Sequence, residues 1–347
     1  MAVSKLVFPA LSYTGWGAIE QLLPSVDSFQ VKRILCVTDE ILVKIGLAEQ
    51  VAKPLIEKGY ELDLYTDVEP EPSLACGQKL VDYAKTGQFE LVVGLGGGST
   101  LDLAKIAAIL ATHNGKVADY LNLTGTKTLE NHGLPSILIP TTSGTGSEVT
   151  NISVLSLETT KDVVTDDRLM ADVAIVDPQL TLSLPAKVTA ATGVDALTHA
   201  VEAFLSVQAS PTTDGLALQA ARLIDRSIRA AVENGEDQEA RTNMSMGSYI
   251  AGLAFFNAGV AGVHALAYPL GGQFHIPHGE SNAVLLPYVM AYIRSSCEQK
   301  MAQLYEALSG DMGKSAAEAS HLFVKRMEAI VREVGIGSTL QGFHIPK

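Results

Sequence analysis

The chain has 347 residues, enough for two domains, and its 47% content of hydrophobic residues can fill two cores. Its formal net charge of −13 argues against nucleic acid or an anionic membrane as a partner, because both require a basic surface. The sequence contains no apolar run of the roughly twenty residues that a membrane helix needs, and no signal peptide is evident at its start. Three cysteines without a C-x-x-C spacing indicate a cytoplasmic protein with free thiols.

The first half of the chain is predicted to alternate strands and helices. The first strand ends at Asp39, and Gly59 ends the helix that follows it. Strands are expected at 33–38, 61–68, 91–93 and 136–140, and helices at 40–57 and 73–86. Alternation at this spacing predicts a parallel sheet covered by helices on both faces.

The composition and periodicity of the sequence change after Pro185. Long patterns rich in Ala and Leu predict helices over 186–206, 212–233 and 239–257, and strand signals nearly vanish. We therefore predict an α/β domain over residues 1–183 and a helical domain over residues 184–347. The order of the strands in the sheet does not follow from the sequence.

A glycine-rich turn follows the strand predicted at 91–93. Four glycines within residues 94–98 precede Ser99 and Thr100, which we expect to cap the next helix. Glycines allow backbone amides to approach a ligand closely, and a helix N-terminus attracts anions. The turn therefore predicts a diphosphate cradle, although it matches neither GxxxxGK[ST] nor a clean GxGxxG. The alternative is a turn that serves only tight strand-to-helix packing.

One carboxylate and three imidazoles form a predicted metal-binding set. Asp195 and His199 are four residues apart in a helical pattern and would project from one face; His264 and His278 follow later in the chain. This donor set suits Fe(II) or Zn(II) and is poor for Ca(II). Taken alone, this spacing is weak evidence for a metal site, and the alternative is ordinary polar positions of helices and loops.

Together, these blocks resemble the iron-containing (group III) alcohol dehydrogenase family, whose relatives include glycerol dehydrogenase and dehydroquinate synthase. The matching segments are GLGGGSTLDLAK (94–105), PTTSGTGSEVT (140–150), VAIVDPQLTLSLP (173–185), TGVDALTHAVEAF (192–204), HALAYPLG (264–271) and PHG (277–279). The resemblance runs from about Leu6 to the end of the chain.

The resemblance implies a Rossmann-like, dinucleotide-binding N-terminal domain and an all-helical, metal-binding C-terminal domain, as in dehydroquinate synthase. It implies an NAD-dependent alcohol dehydrogenase that interconverts a small alcohol and its aldehyde or ketone. Its cofactors would be NAD and Fe(II), or Zn(II) in its place. We expect a homodimer or larger homo-oligomer. Glu202 would lie beside the metal ligands as an outer partner.

Asp39 favours NAD(H) over NADP(H), because a carboxylate at the end of this strand accepts hydrogen bonds from a ribose and repels a 2′-phosphate. The alternative for Asp39 is a helix N-cap. The other cofactor contacts implied by the resemblance are Gly97, Gly98, Ser99, Asp102, Thr141, Thr142, Thr150, Lys161 and Leu180. The plainer alternatives are a helix-dipole carboxylate for Asp102, a surface charge for Lys161 and a core position for Leu180.

The chain departs from the family pattern where many members carry a histidine four residues after the third metal ligand. Here that position is Tyr268, which would donate a proton or shape the pocket, and His275 is a second expected catalytic group. The family also implies a longer C-terminus, so a helical portion beyond Lys347 is expected to be missing from the sequence.

The expected substrate is a short to medium, largely apolar primary alcohol. Its pocket is predicted to be lined by Ala254, Phe255, Phe256, Asn257, Val260, Tyr268 and Phe274. Residues 247–287 contain no Lys or Arg, which argues against the anionic substrate of a dehydroquinate synthase-type lyase. The remaining alternatives are an enzyme like maleylacetate reductase or glycerol dehydrogenase, and a catalytically silent nucleotide-binding protein.

Overall fold

A computed structural model of the chain describes residues 3–158, 160–274, 276–337, 339–343 and 345. The chain divides into two compact units. The sheet unit comprises Val7–Thr142 and Ser147–Thr181. The helical unit comprises Met1–Leu6, Ser143–Gly146 and Leu182–Lys347. The labels of these two units as nucleotide-binding and metal-binding domains remain proposals.

The strands of the sheet unit are β1 (Leu11–Thr14), β2 (Arg33–Val37), β3 (Glu61–Tyr65), β4 (Leu91–Gly96), β5 (Ser136–Pro140), β6 (Ile152–Ser156), β7 (Lys161–Thr165) and β8 (Val173–Val176). Six of them form a parallel sheet in the order β1-β8-β5-β4-β2-β3, and β6 and β7 pair as a separate antiparallel hairpin.

The central strands are continuously apolar because both faces of the sheet are covered. All residues of β4 and β5 are buried. Along β2, Leu35 and Val37 pack into the core on one face, whereas Ile34 and Cys36 pack into the core on the other. The side-chain period of two thus divides one strand between two cores.

The helices of the sheet unit connect successive strands. They are α1 (Leu22–Phe29), α2 (Glu40–Lys44), α3 (Leu47–Lys58), α4 (Leu74–Thr86) and α5 (Gly98–Leu110). Short 3₁₀ turns occupy Ala18–Gln21, Val117–Tyr120, Ser147–Val149, Asp167–Leu169 and Pro178–Thr181.

Two details of the predicted helices were wrong. The single helix expected over 40–57 is broken into α2 and α3 at Gly46, whose φ of 78° is left-handed and interrupts the helical path. The N-cap of α5 is Gly97 rather than Ser99 or Thr100, because the helix already begins at Gly98. Strands β1, β6, β7 and β8 had not been predicted as strands.

The helical unit contains seven α-helices in the part of the chain that is described. They are α6 (Ala186–Leu205), α7 (Pro211–Glu233), α8 (Gln238–Ala258), α9 (Gly262–Phe274), α10 (His278–Ile293), α11 (Glu298–Ser309) and α12 (Ala316–Glu333). Short 3₁₀ turns lie at Arg294–Ser296 and Leu340–Phe343. A single apolar core of these helices includes many small residues, which allow close helix packing. The predicted fold class is confirmed.

Among the described residues, no single helix has the length and apolar composition needed to cross a membrane. Helices α8 and α9 meet these criteria only as a pair, and they are bent by 102° relative to each other.

Candidate active site

The four residues of the predicted metal set converge in the helical unit. Asp195 and His199 lie one turn apart on α6, His264 lies on α9, and His278 is the first residue of α10. The ligand atoms of Asp195, His199 and His264 lie within 4.8 Å of one another, and all three residues are buried. Asp195 Oδ1 is 3.7 Å from Nε2 of His264 and 3.7 Å from Nε2 of His278.

Close helix packing brings His278 to this cluster. The residue after it, Gly279, lies so near α6 that an added Cβ would be 2.5 Å from the carbonyl oxygen of Ala191. Only glycine permits this approach, because a side chain would push the start of α10 away from α6. The i, i+4 spacing on α6 and the glycine on α10 therefore jointly assemble the donor set.

Glu202 holds His264 in a defined orientation. Its Oε2 lies 2.6 Å from His264 Nδ1, and its carboxylate also accepts the backbone N–H groups of Ala261 and Val263 at 3.0 and 2.6 Å. An ionised carboxylate can only accept hydrogen bonds, so Nδ1 of His264 carries a proton. In the neutral ring, the lone pair of Nε2 then faces Asp195 and His278, as in metal sites whose histidines are oriented by a carboxylate.

Asn282 is a buried neighbour of the set that the sequence analysis missed. It follows His278 by one helical turn, and this i, i+4 spacing was the available signal. Its Nδ2 donates to Asp195 Oδ1 at 2.6 Å and lies 3.2 Å from Nε2 of both His264 and His278. The amide therefore sits against three of the predicted ligands.

The charges in the metal-free site are strongly coupled. Burial opposes ionisation of Asp195, but His199, His278 and His264 outweigh it and hold the pKa of this carboxyl well below its ordinary value. Burial also opposes the charged form of His264, yet the nearby carboxylates of Asp195 and Glu202 raise its pKa to about 9, so a metal would displace a proton from its Nε2. Burial lowers the pKa of His199 to about 4. Asp195 is thus a carboxylate at neutral pH.

The donor set fits a divalent first-row metal. One carboxylate and three imidazoles match the ligand preferences of Fe(II) and Zn(II). When His264 is neutral, as a metal ligand must be, three atoms with lone pairs, on Asp195, His264 and His278, face the amide of Asn282, which offers two hydrogens. The centre of the cluster is therefore rich in acceptors, and a cation would complete it.

Aromatic side chains surround the metal set. The ring of Phe255 stacks on His199 with centroids 4.1 Å apart, and Tyr268 lies 6.0 Å from the ring of His278. Val260 and Phe274 are 38% and 37% exposed, so they form a less enclosed part of the expected pocket lining. His275 lies outside the described residues.

Several of the predicted cofactor residues follow the carboxyl ends of neighbouring strands in the sheet unit. Asp39 follows β2, Gly97 follows β4, and Thr141 and Thr142 follow β5. Leu180 follows β8 and is part of the core. Ligands of parallel α/β sheets bind at this edge. Asp39 also caps α2, since its Oδ1 accepts the N–H groups of Ile41 and Leu42 at 2.9 and 3.0 Å.

The N-terminus of α5 has the features of an anion cradle. Its N-cap is Gly97, which has no side chain to accept the first N–H groups of the helix, whereas the side chain of Ser73 caps α4. The first intrahelical bond is donated by the N–H of Leu101 to Gly97, so the amides of Gly98 and Ser99 precede the helical pattern. These amides fit a diphosphate, because they are donors at the positive end of a 13-residue helix.

Asp102 and Thr150 are joined by a buried lysine that the sequence analysis did not single out. Lys105 is fully buried and lies 3.0 Å from Asp102 Oδ1, and it also donates to Thr150 Oγ1 at 3.2 Å and to the carbonyl of Ser147 at 3.0 Å. Asp102 accepts from Ser147 Oγ at 2.5 Å and from the N–H of Val154 at 2.9 Å. The available signal was a lysine in an otherwise apolar helix, three residues after an aspartate.

Lys161 lies near the glycine turn rather than on an open surface. It is buried on β7 and forms an ion pair with Glu71 at 3.1 Å. The backbone N–H of Glu71 donates to Ser99 Oγ at 3.1 Å. Glu71 thus links two of the predicted cofactor contacts.

A parallel-sheet unit with an uncapped helix at its ligand-binding edge, together with an Asp/His donor set, is typical of a metal-dependent dehydrogenase. Two family models match the chain: "Iron-containing alcohol dehydrogenase" over residues 9–178, and "Fe-containing alcohol dehydrogenase family, C-terminal" over residues 189–347.

Among known proteins, the chain is 67% identical over 348 residues to Long-chain-alcohol dehydrogenase 1 of Geobacillus thermodenitrificans, covering 100% of this chain and 88% of the relative. It resembles the crystal structure of a 1,3-propanediol oxidoreductase with a TM-score of 0.95 and 36% identity, covering 99% and 90% of the two chains. It also resembles sulfoacetaldehyde reductase from Bifidobacterium kashiwanohense, solved in complex with NAD⁺, with a TM-score of 0.90 and 29% identity, covering 100% and 90%.

The chain belongs to the iron-containing alcohol dehydrogenase family. It is an NAD-linked oxidoreductase of the alcohol dehydrogenase class, with NAD and iron as its cofactors and small-molecule alcohols or aldehydes as its substrates. The predicted family, enzyme class and cofactors are confirmed.

Proposed function

We propose that the protein oxidises primary alcohols with an apolar chain, and reduces the matching aldehydes, at a metal held by Asp195, His199, His264 and His278. The observation that carries this proposal is the convergence of these four side chains on one buried point. When bound there, Fe(II) would supply a Lewis acid that polarises the oxygen of the alcohol or aldehyde. Zn(II) suits the same donors.

The protein groups around the set prepare it for this reaction. Glu202 fixes a proton of His264 on Nδ1, so that Nε2 is the ring nitrogen that can bind the metal. Phe255 stacks on the ring of His199 and covers that side of it. Glu202 and Phe255 together hold the metal-ligating side chains in a fixed geometry, so that little reorganisation is needed during the reaction.

The NAD site is proposed at the carboxyl edge of the sheet unit. Gly97, Gly98 and Ser99 would bind the diphosphate through amides at the start of α5, and Asp39 would bind the adenosine ribose. The remaining proposed contacts are Asp102, Thr141, Thr142, Thr150, Lys161 and Leu180. NAD, when bound, supplies the hydride acceptor, and the protein aligns it with the substrate.

The apolar surroundings favour an alkyl substrate over a sugar or sugar phosphate. Phe255 supplies an aromatic wall beside the donors, and residues 247–287 carry no Lys or Arg. The 67% identical relative is named a long-chain-alcohol dehydrogenase, which supports extending the expected range from short and medium chains to long ones. Tyr268, beside His278, would shape the pocket or donate a proton.

The proposal is tested with the purified full chain loaded anaerobically with Fe(II) and assayed by NADH fluorescence. A series of primary alcohols of increasing chain length should be oxidised, and neutral substrates should react faster than phosphorylated ones. His264→Ala should lose bound metal and activity together. His321→Ala, which changes an exposed histidine of the same unit, is the matched control and should retain both.

Full activity after exhaustive chelation would contradict the metal-dependent reaction and favour a metal-free enzyme of the maleylacetate reductase type. Binding of NAD without turnover of any alcohol or aldehyde by the loaded protein would favour a silent nucleotide-binding protein. Tyr268→Phe separates the two roles of the tyrosine: an equal loss on simple alcohols and diols indicates proton transfer, and a loss on diols alone indicates substrate recognition.

We infer that the protein assembles as a homodimer or larger homo-oligomer and acts in the cytoplasm. The cysteine pattern supports the second part, since Cys36 and Cys76 are buried thiols and no pairing of cysteines occurs among the described residues. Light scattering of the full chain tests the assembly, and fractionation of cells that express it tests the location.

A further inference from the structure

The amide of Asn282 occupies a central position in the donor cluster. The residue is fully buried on α10, one turn after His278. Its Nδ2 lies 2.6 Å from Asp195 Oδ1, a short contact for an N–H donor to a carboxylate. The orientation of the amide follows from this contact, because a carboxylate can accept but cannot donate a hydrogen bond.

The amide oxygen of Asn282, in contrast to its N–H group, has no hydrogen-bond partner among the described residues. This oxygen, Oδ1, is buried. Burying a carbonyl oxygen in this way has a cost in free energy, which an apolar side chain at the same position would avoid. The retained amide therefore points to a role for its N–H groups in the cluster.

We propose that Asn282 is a positioning residue of the metal centre, which acts through Asp195. Its N–H group holds Oδ1 of the carboxylate in the orientation that faces Nε2 of His264 and of His278. The fixed carboxylate lowers the cost of ordering the donors when a metal binds. A neutral donor does this without adding a cation that would repel the metal.

This arrangement divides the outer contacts of the site between two residues. Glu202 orients His264 from the Nδ1 side, through a bond of 2.6 Å, and Asn282 orients Asp195 from inside the cluster. Glu202 and Asp195 lie on α6, whereas Asn282 lies on α10. The two contacts therefore join α6 to α9 and to α10, and so fix the metal-ligating side chains of these helices relative to one another.

The inference rests on the proposed metal ligands, and the test separates failure of one from failure of the other. Co(II) is the probe, because its visible absorption bands report both binding and coordination geometry. The metal-free full chain is titrated with Co(II) in competition with a chelator of known affinity. If the wild-type protein binds no Co(II), the metal site itself is wrong; the role of Asn282 is judged from the variants.

Two variants test this role. Asn282→Leu is similar in shape but lacks the N–H donor, and Asn282→Ala lacks both the N–H donor and the volume. Each is expected to bind Co(II) about 10- to 100-fold more weakly than the wild type. Their absorption bands should shift, since the carboxylate is no longer held. Asn243→Leu is the matched control, because that amide donates to Ser227 Oγ at 3.0 Å within the same unit, and its variant should bind as the wild type does.

Circular dichroism checks the fold of each variant. Wild-type Co(II) affinity with an unchanged spectrum in either folded variant would overturn the proposal. Co(II) affinity that is kept in Asn282→Leu but lost in Asn282→Ala would also overturn it, because this result would show a role in packing. A double-mutant cycle with Asp195→Ala, which removes the acceptor of the Asn282 N–H group, provides a second measurement. The effect of Asn282→Leu on Co(II) affinity should disappear in that background, and an undiminished effect would contradict action through Asp195.

Discussion

Oε2 of Glu202 lies 2.6 Å from Nδ1 of His264, and the same carboxylate accepts the N–H groups at the start of α9. One buried residue on α6 thus sets both the position of α9 and the tautomer of a predicted metal ligand. The bonds to His264 and to these backbone amides keep the pKa of Glu202 below its ordinary value, although burial alone would raise it. The carboxylate is therefore charged wherever the protein is folded at neutral pH.

Glu202→Gln should weaken metal binding by about 10- to 100-fold with little change in volume. A neutral amide no longer fixes the proton of His264 on Nδ1 and loses the charge that raises the basicity of its Nε2. Competition of Zn(II) between the protein and a chelator measures the effect. Asp225→Asn is the control: Asp225 is a buried carboxylate of the same unit that pairs with Arg326 at 2.8 Å. It should reduce stability and leave metal affinity unchanged.

His264→Ala and His278→Ala should both lose metal but should differ in stability. Removing His264 leaves the fully buried Glu202 without its ring partner, at a cost of about 3–5 kcal/mol in the metal-free protein. The side chain of His278 is 25% exposed, and its removal should cost about 1 kcal/mol. Urea unfolding of both metal-free variants measures the difference. Equal losses of stability would show that the Glu202 contact contributes little.

Replacements of Asp39 should separate cofactor choice from helix capping. Asp39→Asn keeps an acceptor for the N–H groups of Ile41 and Leu42 but removes the charge, so the ratio of kcat/KM for NADP to that for NAD should rise about tenfold. Asp39→Ala should raise the ratio similarly and also lower stability by about 1 kcal/mol. An unchanged ratio in both variants would leave Asp39 with its capping role alone.

Glu148 should make the protein less stable as the pH rises. Burial raises the pKa of its carboxyl to about 7, against weaker opposing effects of a backbone hydrogen bond and of the charge of Lys105. Because the folded-state pKa lies above that of the unfolded chain, this stabilising contribution is complete below about pH 4.5 and is lost as the pH rises through 7, with a total of about 3 kcal/mol.

Glu148→Gln should therefore remove this pH dependence and increase stability at pH 8. Unfolding of the wild-type protein and the variant at pH 5 and pH 8 measures it, and Glu158→Gln, at an exposed position of the same unit, is the control. A stability difference between pH 5 and pH 8 that is identical in wild type and Glu148→Gln would assign the pH dependence to other groups.

Local patterns in the sequence were sufficient for much of the fold. Continuous apolar runs predicted β2 and β5 to within one residue at their ends, because strands buried on both faces are apolar along most of their length. The prediction of a single helix over 40–57 was wrong because the apolar spacing continues past Gly46, whose left-handed backbone interrupts the helix. The short edge strand β1 has two partly buried residues and two exposed ones, so it carried no such run.

Sequence alone predicted the donor set, since four residues in family-like motifs carry side chains that suit a divalent metal. The i, i+4 spacing of Asp195 and His199 also determined that they share a helix face. Tertiary structure decided what surrounds them. The bond from Glu202 to His264 spans 62 residues, and that from Asn282 to Asp195 spans 87. Such partners depend on how α6, α9 and α10 pack, and the periodicity of one segment carries no information about its distant neighbour. The same physical reason applies to Lys105, whose burial against Ser147 and Thr150 follows from the folding of two segments more than 40 residues apart onto each other.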